Sequence, residues 1–196
     1  MNSGIIILAA GESKRMGTPK QVLAYKGSSL LLNAVDIAIK SKYFPITVVV
    51  GAHKNLVAPA LEGLPINIID NAAYKDGIGT SIRMGLIGSY MITKELDSVI
   101  IVTSNQPSVN LEIIDQLYDA AKKTDKEIVN FDLTGEIFPV LVKRSLFEPM
   151  LDLGNDDSFK LFCANNKEKI LTLSTDQHLH SINTKEDYLN AVSPKK

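Results

Sequence analysis

The chain has 196 residues, of which 45% are hydrophobic and 22% are charged, and its formal net charge at pH 7 is −1. That balance is typical of a folded globular protein and argues against a disordered chain or a general nucleic-acid binder, which needs a strongly basic surface. No apolar run approaches the length of a membrane span, and the single cysteine, Cys163, excludes an internal disulfide. We therefore expect one domain over residues 1–196, cytoplasmic, with neither a membrane nor a nucleic acid as its partner.

The apolar pattern predicts strands and helices in alternation along the chain. Buried strands are expected at Ile5–Leu8, Ile46–Val50, Ile66–Ile69, Val99–Val102, Ile128–Phe131 and Phe138–Val142. Helices are expected after the cap Ser28 or Ser29, between Gly51 and about Leu61, and after the cap Asn110. Others are expected over Ser145–Leu153, over Ser158–Ala164 and after the cap Thr184, and the glycine-rich turn KDGIGTSIRMGL runs into a further helix. Such alternation favours an α/β protein with a mainly parallel sheet and helices on both faces.

A glycine-rich, basic segment, Ala9–Lys20, follows the first predicted strand. In an open parallel sheet, ligands bind beyond the carboxyl ends of the strands, so the segment lies where a ligand is expected. Gly11 and Gly17 let the backbone approach a ligand closely, and the cations suit phosphate oxygens. Five residues separate the two glycines, which excludes a P-loop, and the dinucleotide fingerprint G-x-G-x-x-G is absent. Composition alone leaves two interpretations open: a phosphate-binding loop, or a basic, solvated turn.

The sequence of this segment resembles a motif of a known protein family. LAAGESKRMGTPK, Leu8–Lys20, closely resembles the first motif of the MobA-like nucleotidyltransferases, L-A-(A/G)-G-x-S-x-R-M-G-x-x-K, and the following QVLAYKGSSLL also fits. NAAYKDGIGTSIRMGL, Asn71–Leu86, is similar to the second motif of the branch that makes the cytosine dinucleotide form of the molybdenum cofactor. With FPVLVKRSLFEPML and NTKEDY, the resemblance spans nearly the whole chain.

The resemblance implies a fold and an activity. The fold would be a three-layer α/β/α, Rossmann-like nucleotidyltransferase fold of the nucleotide-diphospho-sugar transferase type. The activity would be transfer of CMP from CTP to a phosphate-bearing acceptor, molybdopterin cofactor, with release of pyrophosphate. Mg²⁺ would be the cofactor, and a molybdoenzyme is a further partner to consider.

The resemblance also implies roles for individual residues. Arg15 and Lys20 would be the catalytic residues, stabilising the triphosphate and the charge that develops on it. The nucleotide would be bound by those two cations together with Leu8, Ala9, Ala10, Gly11, Ser13, Gly79, Thr80 and Ser81.

The chain departs from the family where the family binds its metal. The third motif, D-Q-P, reads N-Q-P here, so Asn105 replaces the aspartate that holds Mg²⁺ in the family. The fourth motif, D-I-D-T-P-E-D, reads SINTKED, with Ser181 and Asn183 where acids are expected. Because Mg²⁺ prefers carboxylate and phosphate oxygens, we expect a weakened metal site beside an intact nucleotide loop.

Three explanations of these changes stay open. The metal is held by the triphosphate, waters and another carboxylate such as Asp70 or Asp132; or the enzyme is slow or takes another substrate; or the chain is a non-catalytic relative that binds a nucleotide or a molybdoenzyme. An enzyme of the same fold that acts on a sugar or alditol phosphate is a further alternative. The histidines and Cys163 show no metal-ligand spacing, and Asp156 or Asp157 is expected to open the following helix.

Overall fold

The computed structural model describes residues 1–131, 137–155 and 157–193. Within these residues one seven-stranded sheet is accompanied by a two-stranded hairpin. The strands of the sheet are β1 (Ser3–Leu8), β4 (Ile46–Val50), β5 (Asn67–Asp70), β6 (Ser98–Thr103), β7 (Ile128–Phe131), β8 (Val140–Lys143) and β9 (Ile170–Leu173). The hairpin joins β2 (Ala24–Tyr25) to β3 (Ser28–Ser29).

The helices connect and cover these strands. They are α1 (Leu30–Ile39), α2 (Lys54–Leu61), α3 (Ile78–Ile92), α4 (Leu111–Lys123), α5 (Phe147–Met150), α6 (Ser158–Asn165) and α7 (Lys185–Val192). Short 3₁₀ turns lie at Lys20–Val22, Tyr74–Asp76, Arg144–Leu146 and Lys167–Lys169. Among these residues no helix combines the length and the apolar composition needed to cross a membrane.

The strand order places a crevice at the middle of the sheet. The order is β5-β4-β1-β6-β8-β7-β9, and only β8 runs antiparallel to its two neighbours among the described strands. The mainly parallel sheet predicted from the sequence is therefore confirmed. From β1 the chain moves outward to β4 and β5 and then returns to pair β6 with the other side of β1. Such a reversal of strand order opens a crevice at the carboxyl ends of the two strands, here beside Leu8 and Thr103.

Two apolar cores lie on opposite faces of the sheet. The alternation of β1 explains this, since Ile5 and Ile7 face the core under α1, α2 and α4, whereas Ile6 and Leu8 face the core under α3, α5 and α6. Helix α3 lies very close to the strands: a Cβ at Gly85 would come within 3.1 Å of the Val49 side chain. This close packing holds α3 directly against β1 and β4, through Ile6 and Val49.

The structure corrects several predicted boundaries. All six predicted strands are present, but β5 begins and ends one residue later than predicted, at Asn67–Asp70. A seventh strand, β9, was not predicted; it is four residues long and only half-buried, so its apolar signal is weak. The helix predicted over Ser145–Leu153 is instead a 3₁₀ turn followed by the one-turn helix α5.

Candidate functional site

A cleft of about 370 Å³ opens at the carboxyl ends of β1 and β6. Most of its wall is formed by three segments: the loop after β1, the residues that follow β6, and the first turn of α3 with the 3₁₀ turn before it. The lining residues are Leu8 to Arg15, Lys20, Gln21, Tyr74, Lys75, Ile78, Ser81, Thr103, Ser104, Asn105 and Asn183. The two glycine-containing motifs, Leu8–Lys20 and Asn71–Leu86, are distant in the sequence, and both contribute residues to the wall of one cavity.

Ser13 organises the loop after β1. Its φ is +58°, and its carbonyl accepts hydrogen bonds from the N–H groups of Met16 (3.0 Å) and Gly17 (3.1 Å). Its hydroxyl oxygen accepts a third from the N–H of Lys20, at 3.0 Å. Gly17 has φ +77°, a conformation that favours glycine. These bonds fold the loop back on itself, so that Lys20 returns to the cleft.

The side chain of Gln21 fixes the backbone that follows β1. Its side chain is buried, and Nε2 donates to the carbonyls of Ala9 (2.7 Å) and Gly11 (3.0 Å). Sequence reasoning did not name Gln21 as a site residue, although its position directly after the last lysine of the motif was a signal. Ala9, Gly11 and Gln21 all line the cleft, so these two hydrogen bonds fix part of its wall.

An apolar anchor ties the loop to two distant segments. Met16 is buried in a small core with Leu30, the first residue of α1, and Ile182, which precedes α7. A ring nitrogen of His53 also hydrogen-bonds the Glu12 carbonyl, at 3.0 Å. The loop is therefore anchored at Glu12 and at Met16, and Ile182, the neighbour of Asn183, packs against it.

The cleft has an excess of positive charge. Lys14, Arg15, Lys20 and Lys75 line it, and among the described lining residues Glu12 is the single carboxylate. Lys14 forms an ion pair with Glu12 at 2.8 Å, and the hydrogen bond from Lys14 lowers the pKa of that carboxyl. Three cations beyond this ion pair suit a ligand with several negative charges.

Two asparagines and a lysine form a hydrogen-bonded chain at the end of β6. Lys20 Nζ donates to Asn183 Oδ1 at 2.9 Å, and Asn105 Nδ2 donates to the same oxygen at 3.1 Å. Asn105 Nδ2 also donates to the Ile182 carbonyl at 3.1 Å, while the Asn105 carbonyl accepts from the Ile182 N–H at 2.8 Å. The chain therefore joins three segments: the loop after β1, the end of β6 and the start of α7.

The start of α7 is fixed by a capping box. Asp187 accepts hydrogen bonds from the N–H groups of Asn183 (2.8 Å) and Thr184 (2.7 Å), and Thr184 accepts one from the Asp187 N–H at 3.2 Å. The bond from the Asn183 backbone is the main cause of the lowered pKa of Asp187. The predicted cap Thr184 is present, and it positions Asn183 against Lys20.

The described residues do not fit a divalent cation held by the protein. They contain no group of three or more His, Cys, Asp or Glu side chains that could surround a metal ion. Asn183 Oδ1 already accepts two hydrogen bonds, and Asp70, one of the alternative carboxylates, pairs with Lys54 outside the cleft. Ser181 does not line the cleft, and Asp132, the other alternative, lies outside the described residues, as does Asp156.

The second motif contributes structure as well as cleft wall. Asn71 is buried, and its Nδ2 donates to the hydroxyls of Thr80 and Ser81, both at 2.9 Å. Ser81 lines the cleft, whereas Gly79 and Thr80 do not. A Cβ at Gly79 would come within 2.9 Å of the Gly154 nitrogen, so a packing requirement accounts for that glycine. A contact of Gly79 or Thr80 with a nucleotide stays a prediction.

The fold and cleft define a class of protein. A parallel sheet whose first loop is glycine-rich and basic, and faces a crevice at the switch of strand order, is typical of nucleotide-binding α/β proteins. Residues 5–176 match the family model of the MobA-like NTP transferase domain. The chain belongs to this family, and its fold is the α/β nucleotidyltransferase fold that the sequence resemblance implied.

Two relatives of known name share part of the chain. It is 26% identical over 113 residues to nicotine blue oxidoreductase of Paenarthrobacter nicotinovorans, a match that covers 57% of this chain and 53% of that protein. It is 34% identical over 131 residues to the bifunctional enzyme IspD/IspF of Pelagibacter ubique, covering 64% of this chain and 33% of that protein. The chain thus spans about half the length of one relative and a third of the other.

A solved structure resembles the whole chain. Rv0371c from Mycobacterium tuberculosis superposes with a TM-score of 0.85 and 20% identity, covering 97% of each chain. A complex of Rv0371c with manganese superposes with a TM-score of 0.80 and 19% identity, covering 98% of each chain. At this identity the likeness establishes the fold.

Proposed function

We propose that this protein transfers CMP from CTP to the terminal phosphate of a molybdopterin-type acceptor and releases pyrophosphate. The observation that carries the proposal is the cleft at the switch of strand order, where the Ser13-centred loop, Arg15 and Lys20 face the first turn of α3. A triphosphate needs cations and backbone donors that converge on one place, and the loop after β1 supplies both.

The reaction needs no nucleophilic side chain. A terminal phosphate oxygen of the acceptor attacks the α-phosphorus of CTP, the new P–O bond forms, and the bond to the β-phosphate breaks in line with it. The electron pair of the broken bond leaves with pyrophosphate. Arg15 and Lys20 hold the β- and γ-phosphates and neutralise the charge that develops on the leaving group.

The cytosine preference rests on the second motif. Its resemblance to the cytosine branch of the family covers Asn71 to Leu86, and Tyr74, Ile78 and Ser81 of that segment line the cleft. An aromatic ring beside a glycine-rich loop provides a surface for a nucleobase. Leu8, Ala9 and Ala10 present backbone groups on the facing wall.

A divalent cation would support such a reaction by neutralising phosphate charge. A structural neighbour, Rv0371c, has been solved in complex with manganese. In this chain, Asn105 and Asn183 stand where the family has acids, and the described residues do not fit a divalent cation held by the protein.

The replacement of acids by amides at Asn105 and Asn183 favours a second candidate function. A chain whose metal-position acids are replaced by Asn105 and Asn183 and whose cationic loop is complete has the composition of a nucleotide-binding relative without turnover. Its ligand would be the same nucleoside triphosphate, and its partner a molybdoenzyme.

Pyrophosphate release and thermal unfolding together test these functions. We expect CTP, and not GTP, to raise the unfolding temperature, and pyrophosphate to form only when CTP and molybdopterin cofactor are both present. A ligand at 100 times its dissociation constant adds about 2.7 kcal/mol of stability, which is readily measured. A CTP-specific shift without pyrophosphate supports the second candidate, and no shift with either nucleotide contradicts both.

A further inference from the structure

We propose that the cleft takes its triphosphate without a divalent cation held by protein side chains, and that the Lys20 ammonium, fixed by Asn183 and Asn105, supplies the positive charge at that place. The proposal rests on the proposed function only in taking CTP as the ligand. A divalent cation that takes part in the reaction then enters as a complex with the nucleotide.

The orientation of both amides follows from their partners. A lysine ammonium only donates, so the Asn183 atom 2.9 Å from Lys20 Nζ is the amide oxygen. A backbone carbonyl only accepts, so the Asn105 atom 3.1 Å from the Ile182 carbonyl is the amide nitrogen. The remaining 3.1 Å contact then joins the Asn105 nitrogen to the Asn183 oxygen, a donor to an acceptor. The three hydrogen bonds are therefore consistent with one another, because Lys20 at one end only donates and the Ile182 carbonyl at the other only accepts.

The hydrogen bonds at Asn183 disfavour the binding of a divalent cation beside Lys20. The Asn183 oxygen has two donors, one of them an ammonium, so a divalent ion at this oxygen would have to displace Lys20 and meet its charge. The nearby carboxylates among the described residues are already engaged: Glu12 with Lys14, and Asp187 with the N–H groups at the start of α7. Neutral amides bring no charge to offset that of a hard divalent ion.

Carboxylates in place of Asn105 and Asn183 would instead favour the binding of a divalent cation. Asn183→Asp keeps both acceptor contacts and adds a charge, so it should fold as the wild type does. Asn105→Asp removes the donor to Ile182 and Asn183 and faces their oxygens with a carboxylate, an arrangement that a cation between them would relieve. The double variant Asn105→Asp/Asn183→Asp therefore creates the acidic pair that a divalent ion needs.

Binding of Mn²⁺ by the protein alone tests the first half of the proposal. Free Mn²⁺ is followed by its electron paramagnetic resonance signal while each protein is titrated without nucleotide. We expect wild type and the remote control Asn67→Asp to leave the signal unchanged and Asn183→Asp to reduce it. The double variant should bind Mn²⁺ at least about tenfold more tightly than the weakest affinity that the titration detects. Saturable Mn²⁺ binding by wild type, or no gain in either cleft variant while circular dichroism shows both folded, overturns the proposal.

Calorimetric titration of CTP in EDTA tests the second half. We expect wild type to bind CTP in EDTA within about threefold of its affinity in Mg²⁺, since its cations come from side chains. Lys20→Met should lose at least about tenfold in EDTA, whereas the exposed control Lys40→Met should not change. An unchanged affinity of Lys20→Met overturns the proposal, and CTP binding that requires Mg²⁺ overturns its second half, that side chains alone supply the positive charge. If CTP binds under neither condition, the proposed function fails, and the Mn²⁺ titration still decides the metal question.

Discussion

Gln21→Leu should loosen the nucleotide loop while leaving the sheet intact. Gln21 is 3% exposed, and its amide holds the carbonyls of Ala9 and Gly11. Leucine has a similar volume and cannot donate, so two backbone acceptors lose their partner. At about 0.5–1.5 kcal/mol for each net hydrogen bond, we expect a loss of about 1–3 kcal/mol in the free energy of unfolding.

The same substitution should weaken nucleotide binding. If the ligand must order the Ala9–Gly11 backbone itself, its affinity falls by the free energy that Gln21 supplied, and about 1–3 kcal/mol corresponds to about five- to 150-fold. The assays are urea denaturation for stability and calorimetric titration with CTP for affinity, in one buffer.

A remote amide provides the matched control for Gln21→Leu. Asn67, at the start of β5 and outside the cleft, also donates from its side chain to a backbone carbonyl, that of Gly88, at 3.1 Å. Asn67→Leu should lose stability without a change in the dissociation constant for CTP. A Gln21→Leu variant that loses stability but binds CTP within about twofold of wild type would refute the reasoning.

Three further predictions concern other parts of the chain. Gly11→Ala should fold normally but bind CTP at least about tenfold more weakly, because the added methyl meets no protein atom among the described residues and projects from the cleft wall; Gly154→Ala, which also meets none and does not line the cleft, is its control in the same titration. Thr184→Ala should cost about 1 kcal/mol in urea denaturation, since it removes the cap of α7, and an unchanged midpoint would contradict this role. Burial raises the pKa of the Cys163 thiol to about 11 from an ordinary value of 9.0, so the folded state favours the neutral thiol, and the stability this confers is present below pH 9 and lost as pH rises through about 11. Iodoacetamide at pH 8, followed by mass spectrometry, should therefore label Cys163 at least about tenfold more slowly in the folded chain than in urea, and equal rates would contradict the burial.

Sequence patterns predicted the fold where the apolar signal is strong. The core strands β1, β4 and β6 each contain an unbroken run of β-branched residues, a composition typical of buried parallel strands. The strand β9 was not predicted; three of its four residues are half-buried and Thr172 is exposed. The antiparallel direction of β8 could not be predicted from the sequence either, because a strand buried on both faces has the same apolar run in either direction.

For the cleft too, the sequence predicted some features and could not predict others. The first motif predicted Leu8 to Gly11, Ser13, Arg15 and Lys20, all of which line the cavity, because a long motif identifies a loop without knowledge of its conformation. The hydrogen bonds from Gln21 depend on how the loop after β1 folds back on itself. Those that join Lys20, Asn183 and Asn105 depend on contacts between segments distant in the sequence. No local pattern encodes such contacts. For Gly79, the motif indicated a ligand contact, whereas the structure gives close packing against Gly154.

The most direct test of nucleotidyl transfer follows the phosphorus atoms of CTP. Wild-type protein is incubated with molybdopterin cofactor and CTP labelled at either the α- or the γ-phosphate, and the products are separated. We expect the α-label in the acceptor adduct, the γ-label in pyrophosphate, and neither reaction with Arg15→Ala or Lys20→Met. A γ-label in the acceptor, or no acceptor labelling from CTP that is shown by titration to be bound, would contradict the account.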